Sequence, residues 1–413
     1  MDRYVDRLAD QVLPRMMTAL PAVMVVGPRA TGKTTTARRY ARSVVRLDRP
    51  AESAAFIADP DAALRALPEP ALLDEWQSVP SVLGAVKRAV DDDPRPGRFL
   101  LTGSVRADLE AETWPGTGRV VRVPLYGLTK RELDGRNTAA GFVERLASGD
   151  DSSFLLPAAP PDLPGYIDLA LSGGFPEVLI GSAKAQRGLW LEGYLDQIVT
   201  RDAAGTGGRD PARLRRYFEA LALNSAGLAE QKTLYDAAGI NRKTAEAYES
   251  LLVSLFVLEL VPAWWTNRLS RLVKGPKRYV VDPSLIGAAL RLDVAAAMRD
   301  GNLLGRLLDT FVAAQLRPEA ALSETRPRLY HLREKNGRRE LDIVAELRAD
   351  RVVAVEVKAS AAPTFDDARH LVWLRDELGE RFAGGAVLHT GPRSFTLSQR
   401  IFALPIATIW GAG

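Results

Sequence analysis

The residues best suited to chemistry lie near the start of the chain, in the segment GPRATGKT at positions 27–34. This segment matches the pattern G-x-x-x-x-G-K-[ST] at every fixed position. The glycines let backbone N–H groups surround phosphate oxygens, and a following helix directs its positive end at them. We therefore expect Lys33 to reach the β- and γ-phosphates of a nucleotide and Thr34 to hold Mg²⁺ through its hydroxyl. The residues predicted to bind the nucleotide are Gly27, Pro28, Arg29, Ala30, Thr31, Gly32, Lys33, Thr34 and Thr35.

The flanking residues favour this interpretation over a glycine-rich turn that fits the pattern by chance. Residues 22–26 (AVMVV) form an apolar run of strand type, and residues 35–45 begin with helix-compatible side chains. A strand, a loop and a helix in this order are the context that a phosphate-binding loop requires.

Two neighbouring acids form a second motif, in residues 70–77 (PALLDEWQ). Apolar residues run directly into Asp74 and Glu75, as in a Walker B strand. At the C-terminal end of a parallel strand, Asp74 can orient the Mg²⁺ shell and Glu75 can polarise the attacking water. The alternative is a surface turn that carries two acids, but the phosphate-binding pattern upstream favours the catalytic interpretation.

The order of several segments resembles a known family. GPRATGKTT, ALLDEWQ, FLLTGS and GRVVRVPLYGLTKREL are similar to prokaryotic AAA-type ATPases that carry an attached C-terminal domain of unknown function. The segments LSGGFPEVL and YLDQIVTRDA and the final residues 388–410 resemble that attached domain, so the likeness covers nearly the whole chain. The resemblance implies ATP as the nucleotide, a choice that the residues themselves do not specify.

Two further residues are candidates for the same site. In ATPases of this class, the strand represented here by residues 98–104 ends with a polar residue that senses the γ-phosphate, which is Ser104 or Thr102, with Ser104 preferred. Arg119 begins the next strand and is a candidate arginine finger, which a neighbouring subunit of a homo-oligomer would supply. A merely solvated arginine is the alternative.

A third group of charged residues lies near the C-terminus. Asp342 in ELDIVAE and the pair Glu356 and Lys358 in RVVAVEVK fit the D…(D/E)-x-K signature of restriction-endonuclease-like folds. Alternation along strands places Glu356 and Lys358 on one face, where Asp342 can meet Glu356 across a hairpin. We expect these two acids to bind Mg²⁺ with Asp309, which lies on a preceding helix, and Lys358 to position or deprotonate the attacking water. An ordinary hairpin with edge charges and a decayed nuclease kept for binding are the alternatives.

The middle of the chain predicts a winged helix. Residues 228–238 and 242–255 have helical patterns, separated by a tight turn in which Asn241 caps the second helix. Arg242 and Lys243 begin that helix, where a recognition helix meets DNA, and the basic segment 266–276 would be the wing. The alternative is a packing module or a protein contact.

Composition sets the frame for these sites. The chain has 413 residues, a net charge of +4, no cysteine and three histidines. Disulfides and thiolate metal sites are therefore excluded, a His-based zinc site is disfavoured, and the charge hints only weakly at nucleic acid. No apolar run is long enough to span a membrane, and the first residues lack the core of a secretory signal, so we expect a cytoplasmic protein without a membrane partner.

Together these patterns predict an α/β protein in three parts, and the resemblance implies that the first is of AAA type and that the second contains a lid-like region. A P-loop AAA-type ATPase domain spans residues 1–155, a helical lid-like and winged-helix region spans 156–285, and an α/β restriction-endonuclease-like domain spans 286–413. The predicted function is Mg²⁺-dependent ATP hydrolysis on DNA, with the ATP state gating the nuclease-like domain. The alternatives are a nucleotide-controlled regulator that binds DNA or a protein without cleavage, and an oligomeric motor that remodels branched DNA through Arg119.

Overall fold

A computed structural model describes residues 4–104, 118–137, 140–180, 184–202, 210–266, 275–334 and 338–411. These residues form two compact units. The first unit comprises Arg3–Leu128 and Leu252–Phe256, and the second comprises Thr129–Leu251 and Val257–Gly413. Within the described residues, no helix combines the length and apolar composition needed to cross a membrane.

The first unit alternates strands and helices. Its strands are β1 (Ala22–Val26), β2 (Ser43–Arg46), β3 (Ala71–Asp74), β4 (Phe99–Gly103) and β5 (Val120–Pro124). Its helices are α1 (Ala9–Ala19), α2 (Lys33–Arg38), α3 (Pro50–Ala58), α4 (Pro60–Arg65) and α5 (Val82–Asp92), with a 3₁₀ turn at Trp76–Ser78.

The five strands form one parallel sheet in the order β2-β3-β4-β1-β5. Every residue of β1, β3 and β4 is buried, as expected for central strands of a parallel sheet covered on both faces. Because parallel strands end at the same edge, the residues that follow β1, β3 and β4 lie close together there. The phosphate-binding segment, Glu75 and Ser104 are those residues.

The chain beyond β5 is mainly helical before it returns to strands. Its helices are α6 (Lys130–Leu133), α7 (Phe142–Ser148), α8 (Leu163–Ser172), α9 (Pro176–Leu179), α10 (Lys184–Gln197), α11 (Pro211–Leu223), α12 (Gln231–Ala237), α13 (Arg242–Ser254), α14 (Ser284–Leu290), α15 (Val294–Arg299), α16 (Gly301–Leu322) and α17 (Arg369–Leu378). Its strands are β6 (Leu258–Val261), β7 (Lys277–Val280), β8 (Arg328–Arg333), β9 (Glu340–Glu346), β10 (Val352–Val357), β11 (Phe382–His389), β12 (Phe395–Ser398) and β13 (Ile401–Pro405).

A mixed sheet with the order β12-β13-β11-β10-β9-β8 forms the core of the second unit. Strands β8, β9 and β10 are antiparallel neighbours, whereas β10, β11 and β13 run parallel. Helix α17 packs on this sheet through Leu371, Leu374 and Leu378. Helix α16 precedes β8 and begins at Asp300, whose carboxylate accepts the N–H groups of Asn302 and Leu303 at 3.0 and 3.1 Å.

The two predicted domain boundaries, after residues 155 and 285, both fall inside the second unit. Helix α7 belongs to this unit because Phe142 N–H donates to Glu319 of α16 at 2.7 Å. Hairpin β6–β7 belongs to it because buried Arg317 of α16 forms an ion pair with half-buried Glu259. The three-part division of the chain stays a prediction.

Candidate functional site

The phosphate-binding segment leaves β1 in a conformation that depends on glycine. Gly27 has a φ of 154°, and a Cβ atom there would lie only 2.0 Å from the carbonyl oxygen of Leu125. Gly32 adopts φ 88° immediately before α2, a region that side chains disfavour. Between them, the Thr31 hydroxyl donates to the carbonyl oxygen of Pro28 at 2.9 Å and closes the loop. Arg29 and Ala30 are half-buried, and Thr35 is exposed on the first turn of α2.

Lys33 is buried beneath this loop. Its Nζ donates to the carbonyl oxygen of Pro28 at 2.6 Å, so the ammonium group lies inside the cradle that the loop forms. Burial lowers the pKa of Lys33 to about 8, because the surroundings solvate its charge poorly. A phosphate group bound by the loop would give the Lys33 ammonium group a negatively charged partner.

Thr34 and Asp74 meet across the ends of β1 and β3. The Thr34 hydroxyl donates to Asp74 Oδ1 at 2.7 Å, and the Thr102 hydroxyl donates to the same oxygen. Hydroxyl and carboxylate oxygens are the ligands that a hard cation such as Mg²⁺ prefers. The donor set therefore fits Mg²⁺, with Thr34 and Asp74 as its predicted protein contacts.

Glu75 occupies a turn that few residues adopt. Its φ is 54°, in the left-handed region that disfavours a non-glycine residue. Its N–H donates to the Thr102 hydroxyl at 3.3 Å, and its carboxylate accepts a hydrogen bond from the amide of Gln77. The Ser104 hydroxyl donates to the same carboxylate at 3.4 Å. Glu75 and Ser104 therefore face one another at the ends of β3 and β4, and their roles in catalysis stay predictions.

Two neighbours of Glu75 were not expected from the sequence. Gln77 holds the carboxylate, and its only sequence signal is its place two residues after Glu75. Gly103 makes room for the 3₁₀ turn, because a Cβ atom there would lie 2.4 Å from the indole nitrogen of Trp76. Close packing of this turn against β4 fixes where the Glu75 side chain points.

The residues before α1 also support the loop. Arg7 is buried and donates to the carbonyl oxygens of Thr31 at 2.9 Å and of Tyr126 at 2.7 Å. The Tyr4 hydroxyl donates to Thr36 of α2 at 3.1 Å. The sequence did not predict that Arg7 and Tyr4 contact the loop and α2, because such residues are common in any amphipathic segment.

Arg119 lies at the opposite edge of the sheet. Strand β5 pairs with β1 so that Val120 is opposite Ala22 and Pro124 is opposite Val26. The five residues of β5 therefore separate Arg119 from the edge that holds the loop, a span of about 16 Å. Arg119 Nε donates to Asp91 at 2.8 Å at the surface. Within one chain it does not reach the nucleotide site, so a finger role requires a second copy.

The C-terminal acids surround a lysine that the sequence did not single out. Lys277 Nζ donates to Asp309 at 3.3 Å and to Asp342 at 3.0 Å, and its side chain is 1% exposed. Asp342 also accepts the N–H of Val357 at 2.9 Å. The sequence predicts a metal ion held by Asp342 and Glu356 with Asp309, but the structure places an ammonium group between Asp309 and Asp342. The described residues contain no group of three His, Asp or Glu side chains arranged to hold a metal.

Glu356 and Lys358 form a second pair in the same site. Val355 of β10 lies opposite Ile343 of β9. Continuing this antiparallel register by one residue puts Glu356 opposite Asp342, the neighbours that the sequence predicts. Lys358 Nζ donates to Glu356 at 2.8 Å.

Burial and neighbouring charges shift the pKa values of the ionisable groups in this cluster. Burial and the neighbouring Asp342 raise the pKa of Asp309 and that of Glu356. Burial acts to lower the pKa of Lys277, but Asp309 and Asp342 outweigh it and hold that pKa well above its usual value. Burial acts to raise the pKa of Asp342, but Lys277 and the Val357 N–H lower it. The resulting ion pair is Lys277 with Asp342.

Two helices, α12 and α13, lie where the sequence predicts a helix-turn-helix. Asn241 caps α13, since its Oδ1 accepts the N–H of Thr244 at 2.8 Å. Arg242 and Lys243 are exposed on the first turn, but Arg242 Nε donates to Glu246 at 2.7 Å. Hairpin β6–β7 follows, and most of the predicted wing, residues 267–274, lies outside the described residues.

Three family models match successive parts of the chain. Residues 20–133 match an AAA domain, residues 163–296 match a domain of unknown function (DUF8612), and residues 304–409 match another (DUF4143). The first match confirms the predicted ATPase domain. The other two carry no stated function, so the winged-helix and nuclease-like assignments stay predictions.

Two mycobacterial proteins are similar over almost the whole chain. They are the uncharacterized proteins Mb2031c of Mycobacterium bovis and Rv2008c of Mycobacterium tuberculosis. Each is 29% identical over 407 residues, which cover 97% of this chain and 83% of theirs. Among solved structures, the Walker-type ATPase paby2304 of Pyrococcus abyssi aligns with 70% of this chain and 96% of its own at 15% identity and a TM-score of 0.40. The geometry of the loop and the AAA match agree: this chain is a P-loop ATPase, and its residues 20–133 match an AAA domain.

Proposed function

We propose that this ATPase is an Mg²⁺-dependent, nucleotide-controlled switch whose second unit acts on DNA or on a protein partner. The observation that carries the proposal is the pair of contacts made by the two predicted catalytic side chains of the first unit. Lys33 donates to the Pro28 carbonyl oxygen, and Glu75 accepts a hydrogen bond from Gln77. A phosphate group would compete with Pro28 for the ammonium group and a water molecule would compete with Gln77 for the carboxylate, so we infer that nucleotide binding rearranges the site.

The site residues have distinct tasks in hydrolysis. Backbone N–H groups of the loop bind the phosphates, and Lys33 moves from Pro28 to the β- and γ-phosphates. Glu75 orients the attacking water and accepts its proton, while Ser104, 3.4 Å from that carboxylate, contacts the γ-phosphate side. Thr34 and Asp74 would hold Mg²⁺, which would neutralise charge on the phosphate oxygens.

Phosphate release measured with Mg²⁺ and with excess chelator tests the metal requirement. We expect turnover in wild type with Mg²⁺, and loss of turnover with chelator or in Lys33→Ala. Turnover that persists in chelator would exclude Mg²⁺ dependence.

Exposed Arg242 and Lys243 at the start of α13 support DNA as the partner. A binding assay on duplex, single-stranded and branched DNA, with ATP, ADP or no nucleotide, tests both the partner and the switch. We expect affinity to differ between the ATP and ADP states and to fall in the double variant Arg242→Ala, Lys243→Ala. Lys232→Ala, an exposed lysine on α12, is the matched control. DNA affinity that is equal in every nucleotide state rejects the switch, and no DNA binding at all directs the search to a protein partner.

A second candidate is ATP-gated cleavage of DNA. The order of α16, β8, β9, β10, α17 and β11, with Asp342 next to Glu356, supports the nuclease-like assignment. Nuclease assays with Mg²⁺ or Mn²⁺, with and without ATP, distinguish the two functions. Cleavage that is lost in Glu356→Ala while ATP hydrolysis continues would favour the second candidate.

A further inference from the structure

The site between α16 and β9 is built around a buried cation that belongs to the protein. Lys277 is the first residue of β7, and its ammonium group contacts Asp309 of α16 at 3.3 Å and Asp342 of β9 at 3.0 Å. Three elements of the second unit therefore converge on one nitrogen atom. The sequence predicts Mg²⁺ at Asp342 and Glu356 with Asp309 completing its shell, and the ammonium group lies between two of these three acids.

A divalent ion does not fit here while Lys277 remains. Mg²⁺ needs carboxylate oxygens at about 2.1 Å, so an ion shared by Asp309 and Asp342 would take the space of the ammonium group. The two positive charges would also repel each other in a site that water does not screen. The Asp342 carboxylate is already satisfied by Lys277 on one oxygen and by the Val357 N–H on the other.

Lys277 is also held in place by its own strand. It pairs with Val261 in the β6–β7 ladder, and Tyr279 two residues later donates its hydroxyl to the Asp342 carbonyl oxygen at 3.4 Å. Half-buried Glu259 on β6 forms an ion pair with buried Arg317 of α16. Moving the ammonium group out of the site would therefore remove contacts that hold hairpin β6–β7 against α16 and β9.

We propose that Lys277 is a built-in cation that replaces a divalent metal at Asp309 and Asp342, so that this site binds no metal and hydrolyses no phosphodiester. The second unit is then a nuclease-like scaffold whose acidic site serves to anchor hairpin β6–β7. The proposal concerns this site alone and does not depend on ATP hydrolysis.

Mn²⁺ binding followed by electron paramagnetic resonance tests the proposal. The parent protein for this experiment is the full chain with Asp74→Asn, which removes the carboxylate predicted to bind Mg²⁺ in the ATPase site. No nucleotide is added. We expect no Mn²⁺ at the second-unit site of the parent. Lys277→Ala removes the charge and opens space between the acids, so we expect this variant to gain a Mn²⁺ site that the parent lacks. Adding Asp342→Asn to Lys277→Ala should abolish the gain.

Lys358→Ala is the matched control, because it removes a lysine that pairs with Glu356 but leaves Lys277 in place. We expect no new Mn²⁺ site in this variant. A folded Lys277→Ala protein that gains no Mn²⁺ site would overturn the proposal, since the lysine would then not be what excludes the metal.

The parent protein tests the proposal even if Lys277→Ala fails to fold. Mn²⁺ bound by the parent and lost on adding Asp342→Asn would overturn it. DNA cleavage by the wild-type chain with ATP and Mn²⁺ that is lost in Glu356→Ala would overturn it as well. Absence of both is the expected result.

Discussion

The two acidic sites of this protein use similar residues in opposite ways. In the first unit, Lys33 is turned toward a backbone carbonyl oxygen, 2.6 Å from Pro28, and Asp74 is bound by the hydroxyls of Thr34 and Thr102. In the second unit, Lys277 donates directly to both Asp309 and Asp342. A hydroxyl beside a carboxylate leaves oxygen ligands for a cation, whereas an ammonium group between carboxylates is the cation.

The difference teaches that acids near a lysine do not by themselves make a metal site. Whether a metal ion can bind depends on whether the lysine contacts the carboxylates or is held away from them. Lys33 follows a loop that keeps it in the phosphate cradle, while Lys277 reaches its site from another part of the chain. The following predictions alter one site at a time.

The largest effect should come from Lys277. Replacing it with Met keeps a long apolar side chain but leaves Asp342 as a buried unpaired charge, which we expect to cost about 3–5 kcal/mol of unfolding free energy. Lys358→Met removes a half-exposed partner and should cost about 1 kcal/mol or less. Urea unfolding of both variants measures the difference. Equal losses would mean that Lys277 is not the buried anchor of the second unit.

The catalytic acid of the first unit comes next. Glu75→Gln keeps the size of the side chain but removes the group that accepts a proton from water, so we expect the ATPase rate to fall about 10²- to 10³-fold. Nucleotide affinity should change little. The control is Asp61→Asn, a surface acid that pairs with Arg88. A Glu75→Gln protein with near-normal phosphate release would require another base.

Thr102→Val tests the oxygen set around Asp74. Valine has the same shape as threonine but gives no hydrogen bond to the carboxylate, so the Mg²⁺ concentration for half-maximal ATPase rate should rise about tenfold. Thr18→Val, at an exposed position on α1, should leave it unchanged. An unchanged Mg²⁺ requirement in Thr102→Val would show that this hydroxyl does not tune the site.

The smallest effect is expected for Arg119→Ala in dilute protein. Arg119 lies at the far edge of the sheet and pairs with Asp91 at the surface, so the rate per chain should change less than about twofold. If a second copy supplies Arg119 as a finger, the wild-type rate per chain should rise with protein concentration, and the variant should lose that rise. A wild-type rate that is independent of concentration argues against the finger.

Local patterns predicted much of this protein. The phosphate-binding segment, the acidic end of β3 and the polar end of β4 each follow a buried apolar strand, and such strands are readable from consecutive residues. The β9–β10 hairpin and the Asn241 cap of α13 were predicted for the same reason. In each case the residues that define the motif are close in sequence, so secondary-structure propensity and hydrophobic periodicity are enough to predict it.

The sequence alone determined that this chain binds and hydrolyses a nucleotide, because the loop and its acid lie within fixed local motifs. Only the tertiary structure decided the state of the second acidic site. Lys277 is 32 residues from Asp309 and 65 from Asp342, and no local pattern links them. Packing of β7 against α16 and β9 buries the ammonium group between the acids, and the cost of burying an unpaired charge holds it there.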